Sequence, residues 1–216
     1  MTKAATKKQS APFARVFLLS PAKLGGKRTS MLLREQAAFD VAVKLRQGTA
    51  TVGEVYAFLS GLYFRGKMAY TEAFGNPPEG VPPAVVIVPG FGLVPLRAGL
   101  TLEQLHQIKQ VPIDEENEAY KFPLLRDAAM LNTVSGPDAS YVLLGSIASD
   151  KYVNPLLSVF GERLLFPQDF VGRGDMSRGG LMLRAARDGQ ELPYTAVQGA
   201  TRHGKRVPKL DPWRKQ

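Results

Sequence analysis

Cysteine is absent from all 216 residues. That absence removes disulfides, thiolate zinc sites, iron–sulfur clusters and a cysteine nucleophile, and it suits a reducing compartment. Histidine is almost as scarce. His106 sits in an amphipathic stretch and His203 near the C-terminus, two isolated residues that suggest neither a metal cluster nor a Ser-His-Asp triad. No metal and no cofactor are therefore expected. Long apolar runs are missing as well: the lysine-bearing N-terminus leads into only about five apolar residues, too few for a signal-peptide core or a membrane span. A soluble, cytoplasmic protein without membrane contact is the expectation.

Over most of its length the chain also lacks an excess of either charge. The formal net charge is +9, of which residues 1–15 contribute +4 through Lys3, Lys7, Lys8 and Arg15. Residues 200–216 contribute the other +5, from Arg202, Lys205, Arg206, Lys209, Arg214 and Lys215 against Asp211. Between Val16 and Gly199, 18 basic and 18 acidic residues cancel. Basic tails add salt-dependent, sequence-independent contacts to phosphates, so DNA is an expected partner through the tails, although solubility alone would also account for them. With 44% hydrophobic residues the chain can bury a core without staples. We read a flexible basic segment over 1–14, one α/β domain over 15–199 and a basic tail over 200–216, with the oligomeric state left open.

What is present is an alternation of strand and helix patterns. Apolar, β-rich runs predict strands at Val16 to Leu19, Ala84 to Val88, Tyr141 to Leu144 and Arg163 to Phe166. Between them, helical spacing predicts one helix capped by Thr29 or Ser30, running through Leu45 and stopped by Gly48. Thr51 with Glu54, and Thr101 with Gln104, have capping-box spacing ahead of further helices, and Gly61 and Gly66 should interrupt the first of these. Helices are also expected at Leu124 to Leu131, Asp150 to Val159 and Met176 to Arg187, the last stopped by Gly189. Strands alternating with helices imply an α/β fold, a mainly parallel or mixed sheet flanked by helices in a single domain.

Three polar loops follow inferred strands. In the first, Ser20 to Arg28, a hydroxyl, two glycines and the cations Lys23, Lys27 and Arg28 precede a helix, an arrangement that can hold an anion but lacks Walker spacing. A solvated turn explains the same residues. In the second, Asp150 and Lys151 could act as acid–base partners or simply open a helix, with Tyr152 beside them. In the third, Asp175 or Ser177 can cap the last helix while Arg173 and Arg178 face an oxyanion; the bland alternative is an internal Arg–Asp pair. Arg-Gly-Asp within this loop also matches an adhesion motif, discounted in a cysteine-free chain. Elsewhere, Tyr63 and Arg65 could stack a base, whereas the plain reading packs Tyr63 and Phe64 in the core with Arg65 and Lys67 snorkelling outward.

The residues Ser20-Pro21-Ala22-Lys23, Ala148-Ser149-Asp150-Lys151-Tyr152 and Arg173-Gly174-Asp175-Met176-Ser177-Arg178 resemble, in order and approximate spacing, motifs of the YaaA family of intracellular proteins. Phe58 and Tyr63, and Pro89 to Leu96, match the family more loosely, so the similarity spans residues 16 to about 186. The chain departs from the pattern where Gly90-Phe91-Gly92 lacks the family tyrosine and where Asp175 replaces an apolar residue. The resemblance implies a compact mixed α/β fold, DNA binding and protection against hydrogen-peroxide damage to DNA; it implies no assigned reaction.

Two readings from different classes follow. In one, a nucleic-acid-binding protein of oxidative stress response meets phosphates with Lys23, Lys27, Arg28, Arg65, Arg173 and Arg178 and stacks a base on Tyr63 or Tyr152. In the other, the loops form an enzyme pocket for a nucleobase, nucleoside or other small polar metabolite; Asp150, Lys151, Asp175 and Ser177 carry proton transfer or polar recognition, and Ser20 binds ligand. Both require the three loops to converge at the C-terminal edge of the sheet.

Overall fold

The computed structural model describes residues 14–208 and residue 210. Expectations placed on Lys3, Lys7, Lys8, Lys209, Arg214 and Lys215 lie outside the described residues. Within them, β1 (Arg15–Leu19) leads to four helices, α1 (Lys27–Leu32), α2 (Asp40–Gln47), α3 (Val52–Ser60) and α4 (Leu62–Phe74). A hairpin of β2 (Ala84–Val88) and β3 (Gly92–Pro95) follows, then α5 (Leu102–Gln110) and α6 (Glu118–Ser135). The chain continues through β4 (Ser140–Leu144), α7 (Asp150–Phe160), β5 (Leu164–Pro167), α8 (Asp175–Asp188) and β6 (Tyr194–Ala196).

The strands form one sheet in the order β3-β2-β1-β4-β5-β6. β2, β1, β4 and β5 are parallel, and the edges β3 and β6 are antiparallel. The fold is α/β with a mixed, mostly parallel sheet flanked by helices. Its centre is buried on both faces, which is why all five residues of Ala84–Val88 are apolar and buried. Alternation then sorts the side chains. Phe17, Leu19, Val86 and Leu144 pack into the layer of α1 to α5 and α8, whereas Val16, Leu18, Ile87 and Leu143 pack against α6 and α7.

Both capping boxes form: Thr51 Oγ1 accepts from Glu54 N at 3.2 Å, and Thr101 Oγ1 accepts from Gln104 N at 3.2 Å. Gly48 ends α2 in the left-handed region, φ 70°, as its position suggested. The single helix expected from Thr29 to Leu45 is instead two. α1 stops at Leu32, and Phe39, extended at ψ 150°, caps α2 and stacks on Phe58 at 4.9 Å; burying that ring against α3 breaks the helical path. Thr29 lies buried inside α1 rather than capping it. α6 extends further in both directions than Leu124 to Leu131, because Asn117 accepts from Ala119 N and restarts the chain as a helix ahead of Pro123. The short edge strands β3 and β6 were not anticipated.

One packing feature positions the site. A Cβ on Gly66 would lie 2.6 Å from the carbonyl oxygen of Gly179, and one on Gly179 would lie 2.8 Å from that of Leu62. Two glycines thus let α4 and α8 cross backbone to backbone. The crossing presses the polar start of α8 onto the middle of α4.

Candidate functional site

β1 and β4 are adjacent parallel strands, but the chain leaves them towards opposite faces, into α1 to α4 after β1 and into α7 after β4. That reversal opens a crevice beyond their C-terminal ends, the place where open α/β sheets accommodate ligands. A cleft of about 800 Å³ lies there. Ser20 to Lys23 line it from the end of β1, Ser146, Ser149, Lys151 and Tyr152 from the end of β4, and Asp175 from the start of α8. Tyr63 of α4, Lys109 at the end of α5 and an apolar side that includes Leu24, Leu59, Pro89, Ile108, Val111 and Ile113 form the rest of the wall.

Convergence holds for Ser20 to Lys23 and for Ser149, Lys151 and Tyr152, but not for Lys27, Arg28 or Asp150, and in the third loop it is limited to Asp175. Arg173 and Ser177 line a separate groove with Arg206 and Leu210. The Arg173 guanidinium donates to the Asp169 carbonyl at 3.0 Å and to Ser177 Oγ at 3.2 Å. Arg178 is buried; its Nε and Nη2 both donate to the Phe170 carbonyl at 3.2 Å, and its Nη1 lies 3.5 Å from Asp175. Arg28 donates to the Phe58 carbonyl at 3.0 Å and shares a shallow cleft with Arg65, apart from the main one. Lys27 is exposed at the start of α1. Asp150 is exposed and paired with Arg202 of the C-terminal segment.

Neither α7 nor α8 has a side-chain cap among the described residues. The expectation that Asp175 or Ser177 caps α8 is corrected: Gly174 is the N-cap, and Asp175 and Ser177 already belong to the first turn. The first turns of both helices keep backbone N–H groups without intrahelical partners, and Ser149, Lys151, Tyr152 and Asp175 place those turns on the cleft. Among the described residues that line the cleft, Lys23, Lys109 and Lys151 add positive charge against one carboxylate, Asp175.

Lys67 is the residue that the sequence reading placed wrongly. Arg65 is exposed as expected, but Lys67 is 1% exposed. It lies four residues after Tyr63 and three before Tyr70, on the buried face of α4, and the close approach of α8 covers it. Its Nζ lies 2.7 Å from Ser20 Oγ and 2.8 Å from the Ser20 carbonyl oxygen, and 4.1 Å from the Tyr63 ring centroid. The signal was its helical phase: a lysine spaced with tyrosines.

Burial pulls the Lys67 ammonium down from 10.5 to about 7; Asp175 opposes the shift and Arg178 adds to it. Burial likewise pushes the Tyr63 phenol up to about 12, with Arg178 opposing and Asp175 adding. The Tyr63 hydroxyl is buried without a hydrogen-bond partner among the described residues. Tyr152 is also raised, first by burial and then by Tyr63 and Asp175. Ser20, Tyr63, Tyr152 and Asp175 on the cleft wall, with Lys67 and Arg178 buried behind them, thus form one polar cluster. Among the described residues no group of three His, Asp or Glu is placed to hold a metal ion, and no helix is long and apolar enough to cross a membrane. Comparison with protein-family models, curated proteins and solved structures finds no match for this chain.

Proposed function

We propose that this protein is an enzyme acting on a small, polar, anion-bearing metabolite of about nucleoside size, held in the cleft between β1 and β4. The observation that carries the reading is the lining. Among the described residues, Lys23, Lys109 and Lys151 and the uncapped starts of two helices face one concave space in which Asp175 is the lining carboxylate. Such a lining favours a phosphate or carboxylate group. The volume of about 800 Å³ lies within the ordinary range of small-molecule pockets. Tyr63 and Tyr152 line the same cleft, each mostly buried, and bring aromatic character to its floor.

The test is thermal stabilisation by inorganic phosphate, nucleoside monophosphates and dicarboxylates at millimolar concentration. At least one should raise the melting temperature of the wild type, and Lys151→Glu should abolish the effect while keeping the circular dichroism spectrum. Equal stabilisation of both proteins would remove the cleft from the account.

A second reading keeps the YaaA-like role, nucleic-acid binding that protects DNA from peroxide. It is favoured by the placement of cations. Lys23 and Lys27 are exposed beside the cleft loop, and the Arg202–Asp150 pair brings the basic C-terminal segment to the start of α7, at the same sheet edge. Duplex DNA would then lie across the mouth of the cleft, with affinity that falls steeply as salt rises.

A further inference from the structure

We propose that Ser20 and Lys67 form a nucleophile–base dyad for acyl transfer, acting on an ester or amide that carries an anionic group. The inference rests on the reading of the cleft as a small-molecule site. Ser20 sits directly after β1 and lines the cleft, while Lys67 lies behind it, buried, with Nζ 2.7 Å from Oγ. Ser20 is itself 5% exposed, meeting the cleft on one side and the buried Lys67 amine on the other, an arrangement that activates a hydroxyl without histidine. Its Oγ–H donates a long hydrogen bond, 3.4 Å, to the Leu144 carbonyl, which the hydroxyl exchanges for Nζ when it gives up its proton. A Cβ on Gly145 would approach Ser20 Cβ to 2.9 Å and Oγ to 3.1 Å, so glycine there leaves the serine room.

The surroundings supply what the chemistry needs. A general base must be neutral at working pH, and a lysine removed from water by α4 and α8 meets that condition near pH 7. Groups facing it are Tyr63 on its own helix and Asp175 and Arg178 on α8. As a neutral amine, Lys67 donates one N–H to the Ser20 carbonyl and keeps its lone pair for the Oγ proton. Oγ then bonds to the acyl carbon, the carbonyl oxygen becomes an alkoxide, and the proton moves to Nζ. The uncapped first turn of α7, whose Ser149, Lys151 and Tyr152 line the same cleft, would supply the N–H donors for that alkoxide. Collapse breaks the bond to the alcohol or amine, which takes the proton from Nζ. Water, deprotonated by the same amine, attacks the Ser20 ester; the C–Oγ bond breaks, Oγ takes the proton back from Nζ, and a carboxylic acid leaves. The net change is hydrolysis of one acyl bond by one water.

A fluorophosphonate probe tests the dyad directly. Wild type should form one adduct, mapped by peptide mass spectrometry to Ser20, at a rate that rises with pH through a midpoint near 7. Ser20→Ala should abolish labelling, and Lys67→Met should slow it by roughly 100-fold or more. Lys67→Arg, read in the same way, serves where Lys67→Met fails to fold. 4-Nitrophenyl hemisuccinate should be hydrolysed faster than 4-nitrophenyl acetate. No adduct, an adduct on another serine, or labelling that survives Ser20→Ala would overturn the proposal. If phosphate still raises the melting temperature of the unlabelled wild type, the dyad fails while the cleft stands; loss of both results removes both.

Discussion

Replacing Lys67 by methionine should change how stability depends on pH more than it changes stability itself. In the native state the ammonium titrates near 7 because burial removes it from water, whereas an unfolded lysine titrates near 10.5. Between those values the unfolded chain binds a proton that the native chain does not. Wild-type stability therefore rises with pH across that window; below it both states are protonated and the native state carries the full cost of a buried charge. At about 1.4 kcal/mol per pH unit, the gain from pH 7 to pH 9.5 is about 3 kcal/mol. The upper limit avoids tyrosine ionisation, since Tyr63 and Tyr70 are raised to about 12 and would destabilise the fold as unfolded phenols ionise near 10. Lys67→Met loses two hydrogen bonds to Ser20, about 1 kcal/mol each, but also loses the desolvation cost. It should match or exceed the wild type by about 2 kcal/mol at pH 7 and, once the wild type has gained about 3 kcal/mol, lie about 1 kcal/mol below it at pH 9.5. Urea unfolding at four pH values measures this. A constant difference between the two proteins from pH 7 to 9.5 would show that the amine does not lose its proton in that range.

Further outcomes follow from the same packing. Gly179→Ala forces a methyl against the Leu62 carbonyl, so it should cost about 1–3 kcal/mol in urea unfolding and also disturb Lys67, which the α4–α8 crossing covers. Asp127→Ala removes the carboxylate that accepts Leu93 N at 2.9 Å and should loosen β3, seen as faster hydrogen exchange at residues 92–95 with the rest of the sheet unchanged. If the second functional reading holds, DNA affinity should drop steeply between 50 and 200 mM salt, as expected when about six or more phosphates are contacted, and deleting residues 201–216 should lower the slope. Unchanged affinity across that range would dispose of it.

How much of this was legible in the sequence depended on whether the determinants were local. Ala84 to Val88 announces a doubly buried strand within five residues, and the two capping boxes need only a four-residue window. β3 and β6 are short and only partly buried, so no periodicity marks them; they become strands because β2 and β5 offer them partners. The edge where Ser20 and Ser149 meet was readable from strand–loop order, since parallel strands deliver their C-terminal loops to one side. Lys67 was not readable as an isolated residue. Snorkelling is the rule for lysine on a helix surface, and what overrides it is α8, from the far end of the chain, admitted by Gly66 and Gly179. For Arg178 the alternative of an internal Arg–Asp pair is the one that forms, with Asp175, whereas the Asp169 and Phe170 carbonyls that occupy Arg173 and Arg178 turn inward only in the folded loop and leave no mark in the sequence.

The central claim is that the crevice between β1 and β4 binds a small anion, and amide chemical-shift mapping during titration with phosphate and a nucleoside monophosphate tests it most directly. The account predicts saturable shifts confined to residues 20–23, 149–152 and 174–176, lost in Lys151→Glu. Shifts gathered instead around Arg28 and Arg65, or spread along residues 201–206, would contradict it.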